Sequence, residues 1–198
     1  MIVGNAKGYT KLIMDRFAEI GYRPQLFLVN AADCGVPQKR ERVFFCALRE
    51  DIEKPALQFN PKHRWITAGE AIADIGELLS NERQETAINN KTDSLWWART
   101  KPGEAYSDAT LRHIGMPRFW NIKKFSPNVP SLTLTATDGF RHWSEQRLFT
   151  FREWKRLGSF PDDYQAKTDK IGKYMVGMSV PPKMTEAVAR AVIEQWLS

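Results

Sequence analysis

Three polar side chains, Gln38, Arg40 and Arg42, alternate along a short segment that leads into an apolar run. In extended backbone, side chains two positions apart share a face, so all three could point into one cleft. Arginine offers a planar fork of donors that suits a phosphate or a pyrimidine carbonyl. An isolated triplet of this kind could equally be the solvated entrance to a strand. The Gly-Val-Pro turn at residues 35–37 and the apolar run that follows favour a binding site.

Two cysteines, Cys34 and Cys46, are the candidate nucleophiles, and their spacing does not suit a metal site. Cys46 lies within the apolar run at residues 43–48, where burial would raise the pKa of the thiol. Cys34 precedes Gly35 in a turn and is the better candidate of the two. We expect both to be packing residues, and we expect no disulfide between them.

The elements that position these residues follow from local patterns. Apolar runs at residues 26–29 and 43–48 predict two buried strands on either side of the polar triplet. Residues 10–20 predict a helix that begins with Thr10 as its cap and stops at Gly21. Helix, strand, turn and strand together indicate the end of an α/β domain.

Further helices are predicted by capping-box spacing, from Thr67 to Glu70 and from Thr150 to Glu153. A last helix is predicted after the proline pair at residues 181–182. Between residues 80 and 146 we find no clear helix, and we predict an irregular region that carries strands.

Composition limits the class of partner. The chain of 198 residues has a net charge of +6, which suits an acidic partner such as a phosphate backbone. No apolar run approaches the roughly 20 residues that span a bilayer, and no secretory signal is evident. We therefore predict a soluble, cytoplasmic protein that does not use a membrane.

Three segments carry a resemblance to a known family: residues 35–45, residues 147–162 and residues 177–181. In that order they resemble the eighth, ninth and tenth conserved blocks of the cytosine-5 DNA methyltransferases. The resemblance implies an α/β fold, namely the C-terminal part of a doubly wound, Rossmann-like sheet with an inserted, irregular, mostly-β target recognition region. It divides the chain into the end of the catalytic domain (1–50), the recognition domain (51–146) and the returning ninth and tenth blocks (147–198).

The same resemblance implies roles for single residues. Arg42 takes the position that contacts the target base, with Arg40 and Gln38 organising the site around it. Met178 and Ser179 lie beside the cofactor, S-adenosylmethionine, in a turn at the start of the last helix. Met178 replaces the usual asparagine, so only part of a cofactor site is implied.

The recognition region supplies candidate DNA contacts. For phosphates we expect Lys123 and Lys124 (and Arg118), which would position the module without reading sequence. The aromatic pairs at residues 96–97 and 119–120 could stack on an unpaired base or form a small core. Side chains that could read base edges share short polar groups or an arginine fork; they are Thr133, Thr135, Thr137, Asp138, Arg141 and His142.

The sequence contains neither the Pro-Cys nor the Glu-Asn-Val motif in which the family places its nucleophile and acid. Residues 1–4 resemble those that ordinarily follow Glu-Asn-Val. We therefore expect a chain that binds double-stranded DNA but is inactive alone, and that joins a second polypeptide carrying the N-terminal half or associates with itself. The alternative is a non-catalytic DNA-binding module, or the remnant of a truncated methyltransferase gene.

Overall fold

A computed structural model describes residues 6–137 and 139–198. The predictions for residues 1–4 and for Asp138 lie outside these residues. No helix within the described ranges is long and apolar enough to cross a membrane. The elements are, in chain order, α1 (Ala6–Glu19), β1 (Tyr22–Asn30), β2 (Glu41–Arg49), α2 (Ala68–Ile72), α3 (Ser80–Thr86), α4 (Lys91–Arg99), α5 (Tyr106–Ile114), β3 (Lys123–Lys124), β4 (Phe140–Arg141), α6 (Phe151–Leu157), α7 (Asp169–Met178) and α8 (Pro182–Val192), which continues as a π-helical turn (Ile193–Leu197).

The two strands predicted around the polar triplet are confirmed, and they form an antiparallel pair. Tyr22 lies opposite Arg49, and Asn30 lies opposite Glu41. A 3-10 turn follows β1, where the Asn30 side chain accepts the N–H of Ala32 at 3.2 Å. The predicted start of α1 at Thr10 is wrong, because the backbone is already helical from Ala6 and Thr10 lies inside the helix.

One face of the β1–β2 pair is covered by α8. Val29 and Val36 pack with Met184 in one buried cluster. A second cluster extends along β2 and includes the segment after it, through Leu57; its buried members are Cys46, Leu48, Leu57, Val188 and Trp196. Residues just after position 50 therefore pack with the first and last segments of the chain, and the domain boundary placed there stays a prediction.

The opposite face of the pair is only partly covered by the described residues. Leu28 on β1 is 52% exposed, α1 presents Tyr9 and Leu12 to solvent, and Ile20 just after α1 is exposed as well. The prediction that both strands are fully buried is therefore wrong for this face. Strands this apolar are typical of sheets covered on both sides, so an apolar surface is left open here.

The expectation of a mostly-β recognition region is also wrong. Within residues 51–137 and 139–146 the structure has four helices, α2 to α5, and as strands only the two-residue β3 and β4, which pair in parallel. The helices are started by acidic or amide side chains that reach backbone N–H groups. The Asn90 side chain accepts the N–H of Thr92 at 2.8 Å at the start of α4, and Asp108 accepts the N–H of Ala105 at 3.0 Å before α5. Such short helices carry too little apolar periodicity to show in the sequence.

An aromatic core joins the recognition region to α6 and α7. The Phe125 ring lies 4.7 Å from Phe140 and 5.0 Å from Phe149, centroid to centroid. Trp154 of α6 packs on the same cluster, together with Val176 of α7. Because these rings come from residues 51–146 and from the segment that follows them, they hold β3, β4 and the returning helices in one core.

A buried ion pair fixes the start of α6. The predicted capping box is confirmed: Thr150 accepts the N–H of Glu153 at 3.1 Å, and Glu153 accepts the N–H of Thr150 at 2.7 Å. Glu153 also accepts two hydrogen bonds of 2.8 Å from Arg147, and both side chains are buried. The imidazole of His142 lies 3.8 Å from the same carboxylate.

His142 is held in its neutral form. Its Nδ1 accepts the N–H of Glu145 at 3.1 Å, and its ring stacks on Trp143. Burial, assisted by the nearby charge of Arg147, lowers the pKa of His142 to about 4.

We predict that the free energy of unfolding falls as the pH drops from about 6.5 to about 4, by up to about 3 kcal/mol. The folded pKa of His142 is lowered, so the unfolded chain binds the proton first and gains stability in this window. The His142→Gln variant should lose this component. Urea unfolding at about pH 5 and about pH 7 measures it. Equal pH dependence of the two proteins would contradict the prediction.

Candidate nucleic-acid interface

Arg40 joins three distant parts of the chain. Its guanidinium is 3% exposed and donates to the carbonyl of Leu134 at 2.8 Å and to that of Gly177 at 3.0 Å. Gly177 lies in the last turn of α7, where carbonyl groups have no partner within the helix and a cation is favoured. The beginning, the middle and the end of the sequence therefore meet at one buried side chain.

Gln38 makes a second, weaker connection in the same place. Its side chain is buried, accepts the N–H of Leu134 at 3.4 Å and donates to the carbonyl of Leu157 at 3.4 Å. Around it, residues 37–39 pair with Ser131: the Lys39 N–H donates to the Ser131 carbonyl, and the Ser131 N–H donates to the Pro37 carbonyl.

The expectation that Gln38, Arg40 and Arg42 point into one open cleft is therefore wrong in part. Gln38 and Arg40 point into the protein, because the loop at residues 131–135 covers them. Arg42 stays half-buried at the edge, with one hydrogen bond in the described part of the chain, 2.7 Å to the carbonyl of Glu41. Its guanidinium still has donors for a ligand.

Two cations lie close together here. Burial, and second the charge of Arg42, lowers the pKa of Arg40 to about 10. Burial also lowers the pKa of Arg42. The charged form of each guanidinium is disfavoured by lost solvation and by repulsion. An electron-rich group beside Arg42 would therefore raise both pKa values again.

Two buried polar atoms at this junction lack a hydrogen-bond partner among the described residues: the Nε of Arg40 and the hydroxyl of Ser131. Buried polar groups are nearly always paired with protein or with water. Both atoms therefore mark the junction as a place where further polar contact is needed.

A threonine loop, residues 133–137, forms the outer wall of the junction. Thr133 donates to the carbonyl of Lys39 at 2.8 Å, while Thr135 and Thr137 are exposed with their hydroxyls 3.1 Å apart. The loop lies directly on α7: a Cβ atom on Gly177 would be 2.5 Å from the carbonyl carbon of Thr135. Only glycine permits this approach.

Three expected DNA contacts, Arg141, His142 and Lys124, are instead part of the interior. Arg141 is buried and pairs with the carboxylate of Asp93 at 2.7 Å, and Tyr106 donates to the same carboxylate at 2.8 Å. Lys124 is buried over the Trp97 ring and donates to the Trp97 carbonyl at 3.1 Å. Lys123 next to it is exposed. Alternation along β3 turns one lysine inward and the other outward.

The expectation that Met178 and Ser179 lie in a turn at the start of the last helix is corrected. Met178 is the last residue of α7, and Ser179 caps that helix. Met178 is exposed, and the Ser179 hydroxyl donates to the Val176 carbonyl at 2.8 Å. The first N–H groups of α8 are already used, since that of Lys183 donates to Ser159 and that of Met184 to Pro181. The start of α8 is therefore a poor anion site, and Ser179 offers only its oxygen as an acceptor.

Neither cysteine is placed as a nucleophile. Both thiols are buried, and burial raises the pKa of Cys34 to about 11. Burial also raises the pKa of Cys46. Within the described ranges, no group of three or more His, Cys, Asp or Glu side chains could hold a metal ion.

Sequence reasoning missed Ser131, the carbonyl of Leu134 and the approach of Gly177. A backbone carbonyl has no sequence signal. The glycine of the segment at residues 177–181 was the one available clue to a close contact.

Comparisons with known proteins identify the family of the chain. The family model described as C-5 cytosine-specific DNA methylase matches residues 1–194. The type II methyltransferase M.BbvI of Brevibacillus brevis is 31% identical over 191 residues, which cover 88% of this chain and 50% of that protein. M.NgoFVII of Neisseria gonorrhoeae is 28% identical over 217 residues, which cover 98% of this chain and 56% of that protein. The chain thus spans about half the length of these relatives.

Solved structures show the same fold. A prophage-encoded E. coli protein classed as a DNA modification methyltransferase matches with a TM-score of 0.76 at 16% identity, over 100% of this chain and 67% of that one. A mutant of DNMT2 from Spodoptera frugiperda matches with a TM-score of 0.66 at 14% identity, over 96% and 64% of the two chains. The matched family model, the relatives and the fold lead to one conclusion: this chain belongs to the C-5 cytosine-specific DNA methylases.

Proposed function

We propose that this chain is the C-terminal, DNA-recognising part of a cytosine-5 DNA methyltransferase, which transfers a methyl group from S-adenosylmethionine to cytosine in duplex DNA. The observation that carries the proposal is the buried junction at Gln38 and Arg40, which joins the three family-like segments: Arg40 donates to the carbonyl of Gly177, and Gln38 donates to that of Leu157. In this proposal residues 1–50 and 147–198 complete a doubly wound sheet, and residues 51–146 recognise DNA.

The side chains divide by burial. Arg42, with free donors at the edge, orients the target base, while Arg40 and Gln38 position the strand that carries it. Thr135 and Thr137 are exposed and can contact base edges or phosphates, and Lys123 can contact phosphates.

Methylation at the fifth carbon of cytosine needs a thiolate that adds to the sixth carbon of the ring. Cys34 and Cys46 are buried thiols whose pKa values are raised, so neither supplies it. We infer that the nucleophile comes from a segment outside these 198 residues, joined to this chain or separate from it. S-adenosylmethionine would supply the methyl group, and Met178 and Ser179 would contact only its edge.

The uncovered face of the β1–β2 pair and α1 is the surface that we assign to this segment. Leu28 of β1 lies on this face, and α1 exposes apolar side chains of its own. A sheet extended by further strands and covered by a helix would bury this face. Self-association through the same face is the other way to cover it.

The first prediction of the proposed function concerns catalysis. The chain alone should transfer no tritiated methyl group to cytosine-containing duplex DNA, and addition of a polypeptide bearing the Pro-Cys and Glu-Asn-Val segments should restore transfer. Arg42→Ala should lower the restored rate by about a hundredfold or more, because removing one donor at a reacting centre costs on that scale. Arg49→Ala, on the same strand and paired with Asp51 at the surface, is the matched control.

Methyl transfer by the chain alone would contradict the assignment of the nucleophile to another segment. DNA binding without any restored transfer would favour the non-catalytic DNA-binding module instead.

The second prediction concerns the threonine loop. Gly177→Ala should destabilise the protein by about 2 kcal/mol, because the added methyl group meets the backbone of residues 135–136 and displaces the loop. Gly8→Ala, in α1, is the matched control, since the added methyl group there meets nothing within 4 Å. Urea unfolding measures both changes. Equal stability of the two variants would show that the loop does not rest on α7.

The third prediction concerns the uncovered face. Leu28→Glu should reduce restored methyl transfer at least about tenfold, because a buried unpaired carboxylate opposes association. DNA binding by the chain alone should not change. Leu197→Glu, an exposed apolar position at the end of α8, is the control. Full restoration with the Leu28 variant would place the partner segment elsewhere.

A further inference from the structure

Trp120 differs from every other tryptophan of the chain. It is 65% exposed, and no ring, cation or hydrogen-bond partner for its indole is found among the described residues. Each of the other six tryptophans has at least one such partner; they are Trp65, Trp96, Trp97, Trp143, Trp154 and Trp196. The indole of Trp120 is therefore open to a partner outside the described residues.

The backbone presents this side chain at the tip of a defined turn. Phe119, immediately before it, has a φ of +58°, a left-handed conformation that is unusual for an aromatic residue. The N–H of Ile122 closes the turn on the Phe119 carbonyl at 3.1 Å. Strained residues of this kind cluster where a side chain must be aimed at a ligand.

The segment that contains the turn carries positive charge, and Glu104 also lies close to it, since the Lys124 N–H donates to the Glu104 carbonyl at 3.0 Å. Residues 109–137 include four Lys or Arg residues and no Asp or Glu. Of the four, Lys124 is buried and Arg112 pairs with Glu104 at 3.0 Å. Arg118 and Lys123 are left exposed on either side of Trp120. An exposed aromatic ring with an exposed cation on either side of it in the sequence matches the pattern of a nucleic-acid surface.

The turn is continuous with the threonine loop. The backbone of Gly139 lies against the carbonyl of Asn121, with no room for a Cβ atom. Gly139 also accepts the N–H of Lys123 at 2.8 Å and donates to the carbonyl of Thr137 at 2.9 Å. Trp120 is therefore adjacent to the wall that leads, through Thr135 and Gly177, to the Arg40 junction.

We propose that Trp120 stacks on the face of a base that has lost a stacking neighbour in the bound duplex, and so reads local opening of the DNA. This inference rests on the proposed function and deepens it. A base extruded for chemistry leaves its neighbours with an exposed face, and an indole is the side chain with the largest surface to cover that face. Arg118 and Lys123 hold the adjacent phosphates.

The experiment compares two labelled duplexes of the same sequence, one intact and one with a single abasic position, by fluorescence anisotropy with the full chain. Trp120→Ala should weaken binding of the abasic duplex by between about fivefold and about a hundredfold, and binding of the intact duplex by much less. Trp120→Phe should recover most of the loss. Trp65→Ala, which removes a tryptophan that already has partners, should change neither affinity.

Salt dependence separates stacking from charge. Trp120→Ala should leave the slope of log affinity against log salt unchanged, whereas Lys123→Ala should reduce it by about one. Unfolding midpoints of the variants, expected to match the wild type because the side chain is exposed, exclude a folding defect.

Equal affinity of wild type and Trp120→Ala for the abasic duplex would overturn the inference and leave the proposed function standing. Equal losses on both duplexes would also overturn it, because the ring would then not distinguish an opened stack. A chain that bound neither duplex, alone or with the complementing polypeptide, would overturn the proposed function and this inference with it.

Discussion

The buried guanidinium of Arg40 connects three distant parts of this chain. Arg40 has lost its water, and two carbonyl groups replace part of that hydration. Hydrogen bonds from a charged donor contribute about 1.5–3 kcal/mol each, and leaving such a charge buried without them costs more. The threonine loop and the end of α7 must therefore stay where their carbonyls meet the guanidinium. Arg42 takes its position from this constraint, because it lies two residues along the same strand.

The β1–β2 pair has two faces of different character. α8 and the segment after β2 bury one face in two clusters, whereas the other remains apolar and open among the described residues. In the proposed enzyme the two faces would have different roles. The covered side organises the DNA-facing junction, and the open side is where the nucleophile-bearing segment would add its own strands and helices.

Some charged side chains of the recognition region and of the α6 segment pair inside the protein, whereas others remain exposed. Arg141 with Asp93, and Arg147 with Glu153, are ion pairs that fix α4 and α6 in place. Both arginines are buried, so these charges add little to the field outside the protein. Arg118 and Lys123, on either side of Trp120 in the sequence, are exposed and can meet a polyanion.

The sequence by itself determined the features whose partners lie within a few residues. Both capping boxes, the stop at Gly21 and the strands around the polar triplet were readable because each depends on neighbours in the chain. The family resemblance was readable for the same reason, since each motif is a short run of residues.

Only the tertiary structure decided where the polar triplet points, and which cations are free. Arg40 turns inward because a loop more than ninety residues away supplies a carbonyl, and Lys124 is buried because Trp97 lies over it. The helices of the recognition region were missed because α3 to α5 are short and are held by caps and packing, not by a long apolar stripe. Partners that are distant in sequence leave no local pattern, so burial could not be assigned to one arginine or lysine over another until the chain was folded.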